Sequence, residues 1–351
     1  MRYHSRVSET PLISILLPVR DAEEFLPACL DSLIGQDFKD WECLAVDDGS
    51  RDRSAAVLDE WRLRDRRIRV MRMSGEGGIV RALEAARREA RGSILARQDA
   101  DDRSLPERLA RQAETLERHP DLAAVGALTR PEGRISGGMS RYLDWLSGCV
   151  TAEICAREIW IESPLAHPTA MMRAAAIRGL GGYREMGWPE DYDLWLRLHR
   201  AGQLISNVAE VLYCWRDHPD RLSRRDPRYS PAAFLRCRLH HLRRHLAEKK
   251  IVRPLIVWGA GRDGRRLARG WEEETRSAPP APEIVGFVDI DPRKIGRERR
   301  GRPVLDMQSA MRAHPEAFFL VAVGVPGARE LIRDSLRAEG REEGADFLCL
   351  H

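Results

Sequence analysis

The 351-residue sequence has no apolar run approaching bilayer length, no CxxC pair and no strong excess of charge of either sign. A spanning helix needs about 20 consecutive apolar residues. Met1-Arg2-Tyr3-His4-Ser5-Arg6 leads only to a short apolar stretch before Arg20. The expectation is therefore no signal peptide and no span, so that any membrane role is peripheral. Seven scattered cysteines (Cys29, Cys43, Cys149, Cys155, Cys214, Cys237 and Cys349) form no paired spacing. That excludes a disulfide framework or a zinc site and points to reduced thiols in a cytoplasm. Fifty-eight basic against 54 acidic residues leave a net charge of only +4, with 32% of residues charged. Such dense, mixed charge does not mark a nucleic-acid binder. The length exceeds what one core usually serves and predicts two domains.

What is present is an alternation of strand and helix patterns. Ile13-Ser14-Ile15-Leu16-Leu17-Pro18-Val19 predicts a buried strand, followed by a helix over Phe25 to Ile34 that Gly35 stops. Trp41 to Val46 and Ile68 to Met71 predict further strands, with a helix ending near Arg64 between them. Gly75-Glu76-Gly77-Gly78 opens a helix from Ile79 to Arg91, which returns to the strand Ser93-Ile94-Leu95-Ala96. This order implies a doubly wound parallel sheet. A helix from Pro106 to His119 and a strand at Leu122 to Val125 come next. Residues 129–165 then break the alternation and read as an insert near the substrate side, weakly helical from Tyr142 to Trp160.

Acids follow the strands. Asp47-Asp48-Gly49-Ser50 ends one, and Arg97-Gln98-Asp99-Ala100-Asp101-Asp102 ends another. Open α/β sheets bind ligands at their carboxyl edge. Three neighbouring carboxylates repel, and a divalent cation carrying a polyphosphate turns that repulsion into binding. Taken alone, the cluster reads more readily as a capping loop before the helix at Ser104-Leu105-Pro106-Glu107. Further on, Pro189 starts a helix whose first turn carries Glu190 and Asp191. The helix dipole favours their charged form, which suits a general base, although acids are also ordinary helix-starting residues.

Asp47-Asp48-Gly49-Ser50, Ala96-Arg97-Gln98-Asp99-Ala100-Asp101-Asp102, His167-Pro168-Thr169 and Glu190-Asp191-Tyr192-Asp193-Leu194-Trp195-Leu196-Arg197 occur in order. Over residues 11–225 this set resembles the family 2 inverting glycosyltransferases of GT-A fold. The resemblance implies a doubly wound mixed sheet and transfer of a sugar from a nucleoside-diphosphate donor, most often a UDP-sugar, to an acceptor hydroxyl. It implies Mg²⁺ or Mn²⁺ as cofactor and a glycan or lipid-linked sugar as acceptor. The expected setting is surface polysaccharide synthesis, cytoplasmic or at the inner membrane face. Pro18, Val19 and Arg20 would border the base, Asp48 would hydrogen-bond it, and Arg97 would lie with the donor. Asp99 would contact ribose or metal, Asp101 would hold the metal with Asp102 assisting, and His218 would complete the shell. Arg221 and Arg224 would cover the phosphates, or else belong to a solvated basic run with Arg225 and Arg228. Asp191 would be the catalytic base with Glu190 beside it. His167 would lie near the acceptor or serve as a structural histidine. The chain departs from the family where Glu84 replaces a frequent asparagine and at Glu76-Gly77-Gly78.

These readings divide the chain into a transferase domain (1–228), a basic helical linker (229–252) and a Rossmann-like domain (253–351). The linker alternates Arg236, Arg238, Arg243 and Arg244 with Phe234, Leu235, Leu239, Leu242 and Leu246. It suits either packing on protein or lying on an anionic membrane. His241 and His245 share helical spacing, with no acid between them. Beyond it, Gly259-Ala260-Gly261-Arg262-Asp263-Gly264 follows a strand, and a second strand ends in Asp289, where a ribose-binding acid belongs. Pro279-Pro280-Ala281-Pro282 interrupts the spacing between these strands, and Phe318 to Gly324 supplies a third. This part resembles the nucleotide-binding-like N-terminal modules of bacterial sugar acyltransferases. It suggests a docking or regulatory module, or alternatively an NAD(P)-dependent oxidoreductase.

Overall fold

The computed structural model describes residues 10–74, 77–133, 135–276 and 281–351. The readings on the N-terminal hexapeptide, Gly75-Glu76 and Pro279-Pro280 lie outside them. The chain forms two compact units, Met1–Ala156 with Pro164–Asp226, and Arg157–Ser163 with Pro227–His351.

The first unit is built on β1 (Ile13–Val19), β2 (Trp41–Asp47), β3 (Ile68–Arg72), β4 (Ile94–Arg97), β5 (Arg103–Ser104), β6 (Leu122–Glu132), β7 (Met171–Arg173) and β8 (Leu204–Arg216). Its helices are α1 (Leu26–Ile34), α2 (Ser54–Arg64), α3 (Ile79–Glu89), α4 (Arg108–Arg118), α5 (Gly137–Leu146), α6 (Ala152–Glu158), α7 (Ala174–Gly179), α8 (Glu190–Arg200) and α9 (Leu222–Arg225). The eight strands pair in the order β3-β2-β1-β4-β7-β6-β8-β5. β1, β2 and β4 are buried along almost their whole length, as parallel strands covered on both faces must be. α1 turns Leu26, Cys29, Leu30 and Leu33 onto that sheet, each worth roughly 1.5–3 kcal/mol of burial if fully apolar.

Two features of the topology place the site. The chain winds outward from β1 through β2 to β3, then returns through α3 to β4 on the other side of β1. The crevice between β1 and β4 is thus a switch point, where doubly wound sheets bind ligands. The parallel registers Val19↔Asp47 and Leu16↔Arg97 bring the ends of β1, β2 and β4 to the same edge. Beyond β4, the antiparallel β7 makes the sheet mixed.

The pattern did not anticipate β5 and β8. β6 does not end at Val125 but continues to Glu132 beside the long β8, so part of the expected insert is sheet. Its outer half is half-buried or exposed, which explains the polar residues that hid it. α5 and α6 occupy the weakly helical stretch. All seven cysteines are buried and none is joined in a disulfide.

The second unit carries α10 (Pro231–Glu248), β9 (Leu255–Trp258), α11 (Arg262–Thr275), β10 (Ile284–Val288), β11 (Glu298–Arg299), β12 (Arg302–Leu305), α12 (Met307–Ala313), β13 (Phe318–Val321), α13 (Ala328–Ala338) and β14 (Phe347–Cys349). Its strand order is β11-β12-β10-β9-β13-β14. The basic helix α10 packs on α11, where a Cβ at Gly270 would lie 2.6 Å from Leu239. Much of its charge is engaged inside the unit. Buried Arg238 donates to the carbonyls of Leu350 (2.6 Å) and Ile161, while His240 and Arg243 face Glu274 at 3.2 and 3.1 Å. Arg236, Arg244, Lys249 and Lys250 stay exposed. His241 and His245 are buried, the latter against the Trp160 ring at 5.1 Å. Among the described residues, no helix is long and apolar enough to cross a membrane.

Candidate active site

At the ends of β1 and β2 the chain turns sharply. Gly49 adopts a left-handed φ of +75°, and the Ser50 N–H donates to Asp47 at 3.0 Å. This presents Asp48, itself buried, to the crevice. Its Oδ2 accepts the Gly78 N–H at 2.7 Å and lies 3.7 Å from the exposed Arg20 guanidinium. Its Oδ1 is buried and has no partner among the described residues. A Cβ at Gly77 would sit 1.4 Å from that oxygen, so only glycine lets the loop close on it. An unpaired buried acceptor is costly and therefore rare, and here it suits a ligand N–H donor. Pro18 is half-buried and Val19 buried beside it.

Past β4, the acids stand on a buried polar platform. Arg97 is 1% exposed and donates to Asp99 Oδ1 at 2.5 Å. Burial alone would lower its basicity, yet the charge of Asp99, with Tyr183, Tyr213 and Glu190 nearby, holds it above the usual arginine range. Gln98 donates to Tyr213 Oη at 3.1 Å, and the Asp99 N–H donates to the same oxygen at 3.2 Å. Arg108 underpins the loop by donating to Gln98 Oε1 (2.9 Å) and to the Arg97 carbonyl (2.7 Å); burial brings its guanidinium down to about 10. Tyr213, Gln98, Arg108 and Cys29, whose thiol reaches the Asp99 carbonyl at 3.3 Å, were not read as site residues. Nothing in their local pattern marks them, since pairing across β5 and β8 creates their roles.

Asp99, Asp101 and Asp102 each bring a carboxylate oxygen within 4.8 Å of the others. Asp102 accepts the Arg216 N–H at 2.7 Å through Oδ1, while its buried Oδ2 has no partner among the described residues. Burial raises the Asp102 carboxyl well above the usual range, and the charges of Asp101 and Asp99 add to that against the pull of Arg221. Burial pushes Asp101 the same way, but its hydrogen bond to His218 Nε2 (2.9 Å) and the charge of Arg221 outweigh it and lower its pKa. Arg221 is buried, donates to the Arg216 carbonyl at 2.6 Å and lies 3.3 Å from Asp99 and 3.4 Å from Asp102. It also sits 4.9 Å over the Trp215 ring. Arg224 is turned instead to Asp217, at 2.5 Å. Three carboxylates, one of them strongly perturbed, and one histidine make a donor set that divalent cations take, with Arg221 beside it as a fixed positive charge.

The start of α8 adds further acids, one of which, Glu190, is within electrostatic reach of Arg97. Glu190 is 1% exposed, whereas Asp191 is half-buried and accepts its neighbour's Tyr192 N–H at 2.7 Å. Asp193, fully buried between Arg184 (2.7 Å) and Arg197 (2.7 Å), locks the helix start, and Arg197 also donates to the Leu180 and Gly182 carbonyls. His167, buried, lies 3.0 Å from Tyr183 Oη and 3.4 Å from Glu190. The fold thus gathers Asp48, the Asp99–Asp102 cluster, His218 and Arg221 at one edge, and Arg97, bonded to Asp99, also feels the charge of Glu190 at the start of α8.

Residues 14–181 match the sequence profile described as Glycosyl transferase family 2. The putative glycosyltransferase EpsE of Bacillus subtilis is 31% identical over 226 residues, covering 63% of this chain and 78% of that protein. The O-antigen biosynthesis glycosyltransferase WbnJ of Escherichia coli is 28% identical, covering 69% and 91% respectively. The mannosyltransferase PcManGT of Pyrobaculum calidifontis, solved with GDP-Man and Mn²⁺, superposes with a TM-score of 0.51 at 16% identity, over 95% of this chain and 81% of that one.

Proposed function

The chain belongs to glycosyl transferase family 2 and has its GT-A fold, and from that premise we propose an inverting, metal-dependent transfer of a sugar from a nucleoside-diphosphate donor to an acceptor hydroxyl. One observation carries the reading: three carboxylates and a buried arginine converge at the β1/β4 switch point, with Glu190 of α8 in electrostatic reach of Arg97. Asp48, with Pro18, Val19 and Arg20 around it, receives the base through its unpaired Oδ1. Asp99, Asp101 and His218, with Asp102 behind them, would hold Mg²⁺ or Mn²⁺, which when bound supplies Lewis-acid neutralisation of the departing diphosphate. The unpaired oxygen of Asp102 and the mutual repulsion of the acids fit such an ion. Arg221 offers a fixed positive charge on the phosphate side; Arg224 serves there only after leaving Asp217. Asp191, the more accessible of the α8 acids, takes the proton from the acceptor hydroxyl. A single displacement needs that one base and no protein nucleophile, unlike a retaining double displacement, and it inverts the anomeric centre.

The donor put forward first is a UDP-sugar, with a GDP-sugar as the alternative because PcManGT was solved with GDP-Man. A glycan or lipid-linked acceptor in surface polysaccharide synthesis is supported by the O-antigen role in the name of WbnJ. The setting would be the cytoplasm, with at most peripheral membrane contact. Within the division 1–228, 229–252 and 253–351, the last part is a docking or regulatory module. The oxidoreductase alternative is not favoured, because Asp289, its candidate ribose-binding acid, has both oxygens bonded within the unit.

The test is nucleoside-diphosphate release from UDP-glucose, UDP-N-acetylglucosamine, UDP-galactose and GDP-mannose, with and without Mn²⁺. Release from one of them that depends on Mn²⁺, with an inverted anomer by NMR, is expected. If none is bound or turned over, the reading fails.

A further inference from the structure

Glu190 and Asp191 are neighbours in sequence with unlike surroundings. Asp191 is half-buried, whereas Glu190 is 1% exposed, too enclosed to meet an acceptor. A buried carboxylate needs partners, and one of them is His167, whose Nδ1 lies 3.4 Å from Glu190 Oε1. The other nitrogen of that ring, Nε2, lies 3.0 Å from Tyr183 Oη. The carboxylate only accepts, so Nδ1 is assigned the proton, and in the neutral ring the Tyr183 hydroxyl then donates to Nε2. Burial, the largest influence on Tyr183, keeps its hydroxyl protonated, consistent with that role.

Both partners are themselves held. The Tyr183 N–H donates to Glu84 Oε1 at 2.7 Å, and Glu84 is fixed by a two-point pair with Arg87, 2.8 Å at each contact. A Cβ at Gly182 would lie 2.2 Å from that Glu84 oxygen, so glycine with its φ of +77° is needed there. The His167 ring stands edge-on to Trp195 of α8, centroids 6.1 Å apart at 80°. Glu84, the departure from the family's frequent asparagine, thus anchors the loop ahead of the base helix to α3.

We propose that Glu190 anchors the base helix and that His167 and Tyr183 are positioning residues, fixing Glu190 so that Asp191 next to it is aimed at the acceptor oxygen. The proposal rests on Asp191 being the base. A misaimed base leaves donor binding intact and slows turnover, because misplacement of about 1 Å costs on the order of a hundredfold.

The experiment measures Mn²⁺-dependent diphosphate release from the best nucleotide sugar of the panel, with calorimetry of UDP plus Mn²⁺ (or GDP plus Mn²⁺, to match that sugar) and a melting curve for each variant. His167→Ala should lower kcat on the order of a hundredfold with donor KM and diphosphate affinity unchanged. His167→Asn, whose amide N–H replaces Nδ1–H, should restore most of it. Tyr183→Phe, which removes one oxygen and tests the proposal even if His167→Ala does not fold, should lower kcat about tenfold at unchanged KM. Wild-type kcat in Tyr183→Phe, equal loss in His167→Asn and His167→Ala, or a loss that tracks donor affinity would each overturn it. Asp191→Asn is the control: if that variant keeps its turnover, the assignment of the base has failed, whereas an inactive Asp191→Asn beside a fully active His167→Ala defeats only the positioning proposal.

Discussion

The two units carry the same device, a glycine-bearing turn after a strand with an acid at the end of a neighbouring strand, and leave it in opposite states. In the second unit, Gly259 (φ +117°) and Gly264 are demanded by packing: a Cβ would lie 2.7 Å from the Ala322 carbonyl at the former and 1.7 Å from the Gly259 carbonyl at the latter. Asp289 there has both oxygens bonded, Oδ2 to the Ala260 N–H and Lys294 Nζ, each at 2.9 Å, and Oδ1 to the Asp291 N–H at 3.0 Å. In the first unit, Asp48 and Asp102 each keep a buried oxygen with no partner among the described residues. Burial pushes both Asp289 and Asp102 upward. For Asp289 the Asp291 N–H, Lys294 and the Ala260 N–H outweigh it and lower its pKa, while for Asp102 burial prevails with the charges of its neighbours behind it. A site that awaits a ligand carries an uncompensated electrostatic cost; a turn that completes itself does not. The motif is alike, and only the partners tell them apart.

Four experiments sharpen or break that contrast. The largest effect belongs to Asp191→Asn, which should reduce donor turnover on the order of a thousandfold while calorimetry with UDP (or GDP) and Mn²⁺ stays as in the wild type. Next, Gly77→Ala pushes a methyl into Asp48 Oδ1, and diphosphate affinity should fall on the order of tenfold to a hundredfold; unchanged affinity would remove Asp48 from the base pocket.

A pair with opposite signs follows. The Asp102 carboxyl is raised in the fold, so its contribution is complete below the unfolded carboxylate range and is lost as pH climbs through the folded value. Asp102→Asn should therefore stabilise the metal-free protein at neutral pH by on the order of 1 kcal/mol, with the gain vanishing in acid. Asp289 is depressed, so its contribution is complete above the unfolded range and is lost as pH falls through the lower folded value. Asp289→Asn should destabilise at neutral pH by roughly 1–3 kcal/mol, and the deficit should close in acid. Denaturant titrations across pH read both, and equal signs would dissolve the distinction. The smallest effect is expected from Gly261→Asp, where a Cβ meets nothing within 4 Å. Donor turnover should not change and NAD⁺ should not shift the melting point of either protein; an NAD⁺ shift lost in the variant would revive the oxidoreductase alternative.

Much of the first unit could be read along the chain, because β1, β2, β4, α1 and α3 are built from local periodicity and punctuation. The acids at strand ends were equally legible, since a strand's direction alone decides which edge its last residues reach. β8 was not, as its middle (Ala209 to Val211) is exposed and the buried stretches on either side become one strand only by pairing with β6 and β5. The basic stripe of α10 is compatible with packing on protein or lying on a membrane, and the burial of Arg238, His241 and His245 is set by what packs around them.

The sequence by itself determined the alternating α/β order, the family, and which side chains reach the sheet edge, because these depend on spacing of 2 or 3.6 residues and on short turns. Tertiary structure alone decided that Arg97 is buried against Asp99 within reach of the charge of Glu190, that Arg221 rather than Arg224 faces the acids, and that Asp48 and Asp102 keep an oxygen without a partner among the described residues while Asp289 does not. Hydrogen bonding and burial are relations between residues far apart in the chain, and no local pattern encodes them.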